Sequence, residues 1–188
     1  MTKEETTVIL RIISGIYPEY FADMDDKLKE GTVLVWSEVF KNLPYELVRK
    51  AVLKYIETNT TSYPPKPGMI NEIIRNMISI YDAEEQWCII EHCVRAIPEG
   101  YSRYMREHLD PVAKMLIGSE DVARFKETAG AMDKHRPRFM KEYEAEKRKV
   151  EEKAMETGDL MSITSPERIA ELGLQPTDLM IEMKAANV

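Results

Sequence analysis

Two kinds of side chain that commonly bind metal ions, thiol and imidazole, lie close together in the middle of the chain. Cys88 and His92 are four residues apart, so a helix would place them on one face, and Cys93 is adjacent to His92. His108 is a candidate for a further ligand. A structural zinc site usually combines two paired clusters of ligands, and the sequence contains one. We therefore interpret Cys88 as a small core residue beside Trp87 and predict no metal site.

Motifs of the common catalytic sites are absent from the sequence. None of the eight glycines is followed by lysine, which excludes the Gly-x-x-x-x-Gly-Lys loop that holds nucleotide phosphates. The Gly-x-Ser-x-Gly, His-Glu-x-x-His and Cys-x-x-Cys motifs are missing too. The many carboxylates fall on polar helix faces, where solvated charge is ordinary. The sequence therefore predicts a protein that is not an enzyme and that uses no cofactor.

The densest run of basic residues lies between positions 134 and 149. It could contact nucleic-acid phosphates or an acidic protein surface. Glutamates at positions 142, 144 and 146 interleave with it, however, and also fit a solvated helix face. The net charge of −7 argues against a protein whose whole surface coats nucleic acid. The candidates for contact with nucleic acid or an acidic partner are Lys134, Arg136, Arg138, Lys141, Lys147 and Arg148.

The composition fits a helical protein without a membrane span. Apolar residues make up 44% of the 188 residues, which is enough for the core of one domain or of two small ones. There are 8 glycines and 10 prolines against 12 methionines, which favours helices over sheets. The longest uncharged apolar run is too short to cross a bilayer, and the first residues lack the layout of a signal peptide. We expect a soluble, cytoplasmic protein without a disulfide framework.

Residues 1–80 are predicted to form a bundle of four helices, because apolar residues recur there at intervals of three and four. Thr2 and Glu5 form a capping box at the start of the first helix. Gly31 can interrupt the second helix, whose inward residues are predicted to be Leu28, Trp36, Val39 and Phe40. The expected helix ranges are 3–17, 23–41, 44–58 and 67–78.

Residues 81–156 are predicted to form a second helical unit, so that the fold class is all-α. Its expected helices span residues 84–97, 101–109 and 111–118, followed by one after Ser119 and a long charged one over 137–155. A break is expected near His135, because Pro137 would clash with the preceding helical turn. Residues 157–188 form a weakly structured tail with a short helix from Ser165 to about Leu172, either flexible or folded on a partner.

The first 78 residues contain, in this order, Lys3-Glu4-Glu5, Ile16-Tyr17-Pro18, the stretch from Trp36 to Leu43, Pro44-Tyr45-Glu46-Leu47-Val48 and Tyr63-Pro64-Pro65-Lys66-Pro67. This order of motifs resembles the N-terminal helical domain of the bacteriophage helicase loader/inhibitor family. Over residues 82–146 the order of Glu84-Glu85-Gln86-Trp87, Leu109-Asp110-Pro111-Val112 and the stretch from Arg138 to Glu144 is similar to that of longer replication proteins of phages and prophages of Firmicutes.

The resemblance implies a DNA replication adaptor that binds a hexameric replicative helicase, holds it inactive and helps to load it at the origin. It implies that the N-terminal bundle faces an origin-binding initiator protein, and that the region from Arg136 through the tail contacts the helicase. Adaptable methionine and apolar side chains suit that contact. The candidate helicase-binding residues are Phe139, Met140, Tyr143, Leu160, Leu179, Met180 and Met183.

Two other functions stay open at this point. The chain could be a DNA-binding replication factor that uses the basic run at 134–149, with weak contact to DNA. It could also be an inhibitor that captures the host replication machinery, since loading a ring and blocking it both need tight binding. Phosphate contacts would weaken steeply with salt, whereas an apolar protein contact would change less.

Overall fold

The computed structural model describes residues 1–96, 101–117 and 132–175. In these residues all regular structure is helical and no strand occurs, which confirms the all-α class. A single 3-10 turn, Leu160–Ser162, precedes the last short helix. The helices are α1 (Lys3–Ile16), α2 (Pro18–Phe21), α3 (Asp26–Val39), α4 (Tyr45–Thr58), α5 (Pro67–Ile78), α6 (Ala83–Ala96), α7 (Tyr101–His108), α8 (Pro111–Leu116), α9 (Met132–Thr157) and α10 (Pro166–Glu171).

The chain divides into two compact units. The first unit contains residues 1–80 together with the described residues from Lys153 onward, and the second contains Tyr81–Glu152. Helix α9 therefore contributes residues to both. The helix expected after Ser119 lies outside the described residues. None of the described helices combines the length and the apolar character that a membrane span needs.

The start of helix α1 is fixed by the predicted capping box. The Glu5 amide donates to Thr2 Oγ1 over 3.2 Å, and the Thr2 amide donates to the Glu5 carboxylate over 2.7 Å. Two of the amides that a helix start leaves without partners are satisfied in this way. The apolar stripe of α1 buries Ile9 and Ile13 almost completely. The helix packs against α3 and α4, and α4 packs against α5.

Helix α3 differs from its predicted form in three respects. It begins at Asp26 rather than near residue 23, because Asp25 caps it by accepting the Leu28 amide over 2.8 Å, and the short helix α2 precedes it. It continues through Gly31 without interruption. The prediction that Leu28 and Val39 face inward is wrong, since both are exposed. Trp36, and Phe40 directly after the helix, are buried as predicted.

The segment expected to be a weak tail packs, over residues 159–174, into the first unit. Leu160, Ile163, Ile169 and Leu174 are all at least 97% buried. The Ile80 amide donates to the Ile163 carbonyl over 3.2 Å. The sequence suggested weak structure because the apolar residues here are too widely spaced for one long helix; a 3-10 turn and a short helix instead direct them to one side.

The break expected near His135 does not occur, because α9 runs from Met132 to Thr157 with Pro137 inside it. A proline inside a helix removes the hydrogen bond of its own missing amide and crowds the carbonyl four residues before it. The helix nevertheless continues past Pro137 to Thr157.

Candidate functional site

Phe139 and Tyr143 on α9 belong to an aromatic cluster inside the second unit. The Phe139 ring lies 5.3 Å from the ring of Trp87 on α6, and 5.6 Å from the ring of Tyr143. Such tilted pairs stabilise a core beyond the area that they bury. Tyr143 is completely buried and Phe139 nearly so. Both residues were candidates for helicase contact, but their side chains instead attach α9 to α6.

A polar network surrounds the Tyr143 hydroxyl. It donates to Asp110 Oδ2, while Asp110 Oδ1 accepts the Ala113 amide over 2.7 Å and thereby caps α8. The Asp110 amide donates to Gln86 Oε1 over 2.8 Å. Burial, and then the hydrogen bond to Asp110, raise the pKa of Tyr143 above its ordinary value. The hydroxyl is therefore neutral at physiological pH and holds α6, α8 and α9 together rather than performing acid–base chemistry.

The sequence reasoning missed this network. The pair Asp110-Pro111 was a usable signal, because aspartate before a proline that opens a helix is a common N-cap arrangement. Nothing in the spacing indicated that a tyrosine 33 residues later would share the same carboxylate.

Leu160, another candidate for helicase contact, is fully buried in the first unit. Next to it, Met161 is 40% exposed. Near Leu160 in sequence, Arg168 donates from Nε to the Met77 carbonyl over 2.6 Å and ties α10 to α5. Met140 on α9 is half-buried. The remaining candidates, Leu179, Met180 and Met183, lie outside the described residues.

Most cations of the basic run form ion pairs with neighbouring carboxylates. Within α9, eight basic side chains alternate with seven acidic ones, so the helix carries almost no net charge. Lys134 and Lys141 are exposed and form no ion pair with a described residue. The pairs are Arg136–Glu84 at 2.5 Å, Arg138–Glu142 at 2.8 Å, Lys147–Glu144 at 3.7 Å, Arg148–Glu152 at 3.0 Å and Lys149–Glu146 at 2.5 Å.

The cysteines and histidines of the second unit lie in different environments. The interpretation of Cys88 as a core residue is wrong, since Cys88 is exposed. Cys93 is buried, and burial raises the pKa of its thiol. The ring of His108 stacks on Tyr104 at 3.8 Å, and His92 lies 6.1 Å from the same tyrosine ring. Within residues 1–96, 101–117 and 132–175, no three metal-binding side chains are grouped closely enough to hold an ion.

The exposed side of α3 carries four large apolar side chains. Leu28, Leu34 and Val35 are each more than half exposed, and Val39 is 42% exposed. We name these four residues the α3 stripe. An apolar surface of this extent on a small domain commonly marks an interaction site. The exposure of the α3 stripe could not be predicted from the sequence. An apolar periodicity identifies one face of a helix but does not show whether other parts of the chain cover that face.

Comparisons with known proteins identify the N-terminal part of the chain. Searches of curated proteins and of solved structures gave no match. Residues 1–71 match a family model for the N-terminal domain of the gene 39 product of phage SPP1, a helicase loader/inhibitor. The matched range covers α1 to α4 and the beginning of α5. Residues 1–71 of this chain are therefore similar to the N-terminal domain of that phage helicase loader/inhibitor.

Proposed function

We propose that this chain is a phage or prophage replication accessory protein that binds a hexameric replicative helicase, holds it inactive and helps to load it at the origin. The observation that carries this proposal is the match of residues 1–71 to the N-terminal domain of a phage helicase loader/inhibitor. Those residues also fold here as one part of a compact unit with an apolar core. The alternatives rest on surface features alone.

The proposed role needs no catalysis by this chain. A protein that binds the unloaded ring more tightly than the ring engaged on DNA slows unwinding while it is bound, and is released when the ring engages DNA. The two states must differ in affinity for the adaptor, because equal affinity would shift nothing. Nucleotide hydrolysis by the helicase drives the cycle in this proposal.

In this proposal the N-terminal domain binds the initiator, and α9 together with the chain that follows it binds the helicase. Buried Phe139, Tyr143 and Leu160 support these segments from inside. The direct contacts that we propose are the half-buried Met140, the exposed Met161, and three apolar residues outside the described range: Leu179, Met180 and Met183.

A shortened chain tests whether residues 176–188 contribute to helicase binding. Cutting at Gly158 would remove Leu160, Ile163 and Ile169 from the core, so a loss of function there would be ambiguous. Ending the chain after Gln175 leaves every described residue in place. We expect this shorter chain to bind the helicase at least tenfold more weakly, since it lacks the last three apolar contacts.

The control for that experiment is a full-length chain in which Thr177 and Glu182 are replaced by alanine. It keeps the length and the apolar residues of the segment, and we expect unchanged inhibition in a DNA-unwinding assay. Inhibition that is equally strong with the chain ending at Gln175 would remove the last residues from the proposed helicase contact.

Direct DNA binding is the second candidate, and the exposed Lys134 and Lys141 are what favours it. Two lysines on an otherwise charge-balanced helix would give a shallow dependence of affinity on salt, since each phosphate contact contributes about one unit of slope. DNA binding with a slope of about two, abolished by Lys134→Gln and Lys141→Gln together, would support this candidate over the helicase. An inhibitor of the host machinery differs in outcome: it would block the helicase but not promote its loading in the presence of an initiator.

A further inference from the structure

The α3 stripe follows the period of a helix that packs against another helix. Leu28, Val35 and Val39 are separated by seven and four residues, so their side chains project from one side, whereas Leu34 lies about 100° around the helix from Val35. Their exposed fractions are 57%, 56% and 42%, and that of Leu34 is 57%. The stripe extends over about three helical turns. In the single chain these side chains are exposed to solvent.

Gly31 lies inside this stripe and has no structural role of its own there. A Cβ at this position would meet no described atom within 4 Å, and Gly31 is not among the glycines with positive φ. Glycine in a helix interior costs about 1 kcal/mol relative to alanine. Its one physical advantage on a helix face is that another backbone or a large side chain can approach closely.

We propose that the α3 stripe is a dimer interface, in which it packs antiparallel against the same stripe of a second copy of this chain. A two-fold axis passing beside the middle of the stripe places Leu28 of each copy opposite Val39 of the other. The two Val35 side chains lie near the axis, beside the space left by Gly31. An interface of this kind buries the same surface on both copies and closes the assembly at two.

Charge complementarity is the reason for choosing a second copy as the occupant. Lys27 and Glu38 lie on the same flank of α3, near its two ends. In the antiparallel pair Lys27 of each copy lies next to Glu38 of the other copy. The two-fold symmetry therefore produces two such ion pairs. The Glu38 carboxylate is already held on this flank by Lys41 Nζ at 2.6 Å. In a parallel pair, like charges would meet instead.

Molar mass measured by light scattering over a wide range of concentration tests the proposal on the full chain. We expect the mass to rise from 21.8 kDa toward twice that value as the concentration increases. Val35→Lys should raise the dimer dissociation constant at least tenfold. The matched control is Met69→Lys, at a residue of α5 that is also exposed, and it should change the constant less than twofold. A mass of one chain at every concentration, or an equal response of both variants, overturns the proposal.

Gly31→Ala separates an interface from a purely local role. Because no described atom lies within 4 Å of the added methyl group, the substitution should raise the melting temperature through better helix propensity. In the proposed dimer the added methyl group also raises the dissociation constant severalfold. A higher melting temperature with unchanged association contradicts the proposal.

A charge exchange tests the antiparallel arrangement. Lys27→Glu and Glu38→Lys should each weaken association severalfold, and the double variant should restore it to within about twofold. If the loss of binding free energy in the double variant equals the sum of the losses in the two single variants, the antiparallel pairing is wrong.

Discussion

The two units of this protein have different kinds of interior. The first combines aliphatic side chains from α1, α4, α5 and the segment that contains Leu160 with the ring pair of Trp36 and Phe40. The second combines the aromatic cluster of Trp87, Phe139 and Tyr143 with the hydrogen bonds of Asp110. Aliphatic packing tolerates changes of shape, whereas a buried polar network has one arrangement that satisfies its members. The first unit is therefore expected to depend on volume, and the second on individual hydrogen bonds.

The largest effect is expected from removing volume in the first unit. Leu160→Ala should lower the free energy of unfolding by about 2–5 kcal/mol, because it leaves a cavity where a fully buried side chain was. Urea unfolding followed by circular dichroism measures it. The neighbouring Met161→Ala, at an exposed position, should cost less than about 1 kcal/mol. Equal losses for the two variants would show that residues 159–174 do not pack into the first unit.

A smaller effect with a distinctive pH dependence is expected in the second unit. Tyr143→Phe should lower the free energy of unfolding by about 1–3 kcal/mol, because Asp110 loses a buried donor. The pKa of Tyr143 is raised in the folded chain, so its contribution is complete below the ordinary tyrosine pKa and is lost as pH rises above it. Above about pH 10 the parent chain should therefore lose stability more steeply than the variant, by about 1.4 kcal/mol per pH unit.

The control for this prediction is Tyr45→Phe, at a half-buried side chain in the first turn of α4. It should change stability by less than about 0.5 kcal/mol and should leave the alkaline slope as it is in the parent. Identical alkaline slopes for the parent and Tyr143→Phe would mean that the Tyr143 hydroxyl is not buried in the folded chain.

The smallest effect concerns the helix start that the sequence predicted. Thr2→Ala removes the side chain that accepts the Glu5 amide and should cost about 1 kcal/mol. Thr7→Ala lies one turn further into α1, where alanine is the better helix former, and should be neutral or slightly stabilising. Thermal unfolding of both variants measures the difference. The same sign and size for both would indicate that the capping box contributes nothing.

Local signals in the sequence predicted local structure well. The capping box of Thr2 and Glu5, the start of α5 at Pro67 and the short helix after Ser165 are all observed, because each depends on residues within one turn. The exposure of Leu28 and Val39 and the burial of Leu160 could not be predicted in this way. They depend on which surfaces meet after the chain has folded, and a helical period identifies a face without identifying its neighbour.

The candidate site shows the same division between local and long-range information. Charge density directed attention to the run at 134–149, yet within α9 those cations pair with glutamates three or four residues away. The apolar candidates Phe139 and Tyr143 were correctly placed on a long helix, but their partners, Trp87 and Asp110, lie far away in the sequence. The α3 stripe was hidden by the assumption that apolar periodicity means burial.

The most direct test of the central claim is a retention experiment with a purified hexameric replicative helicase and the full chain. The helicase is immobilised, and the mass of bound chain is measured at low and at high salt. We predict saturable retention that survives the higher salt concentration, together with slower unwinding by the helicase in solution. No retention and no change in unwinding would contradict the account.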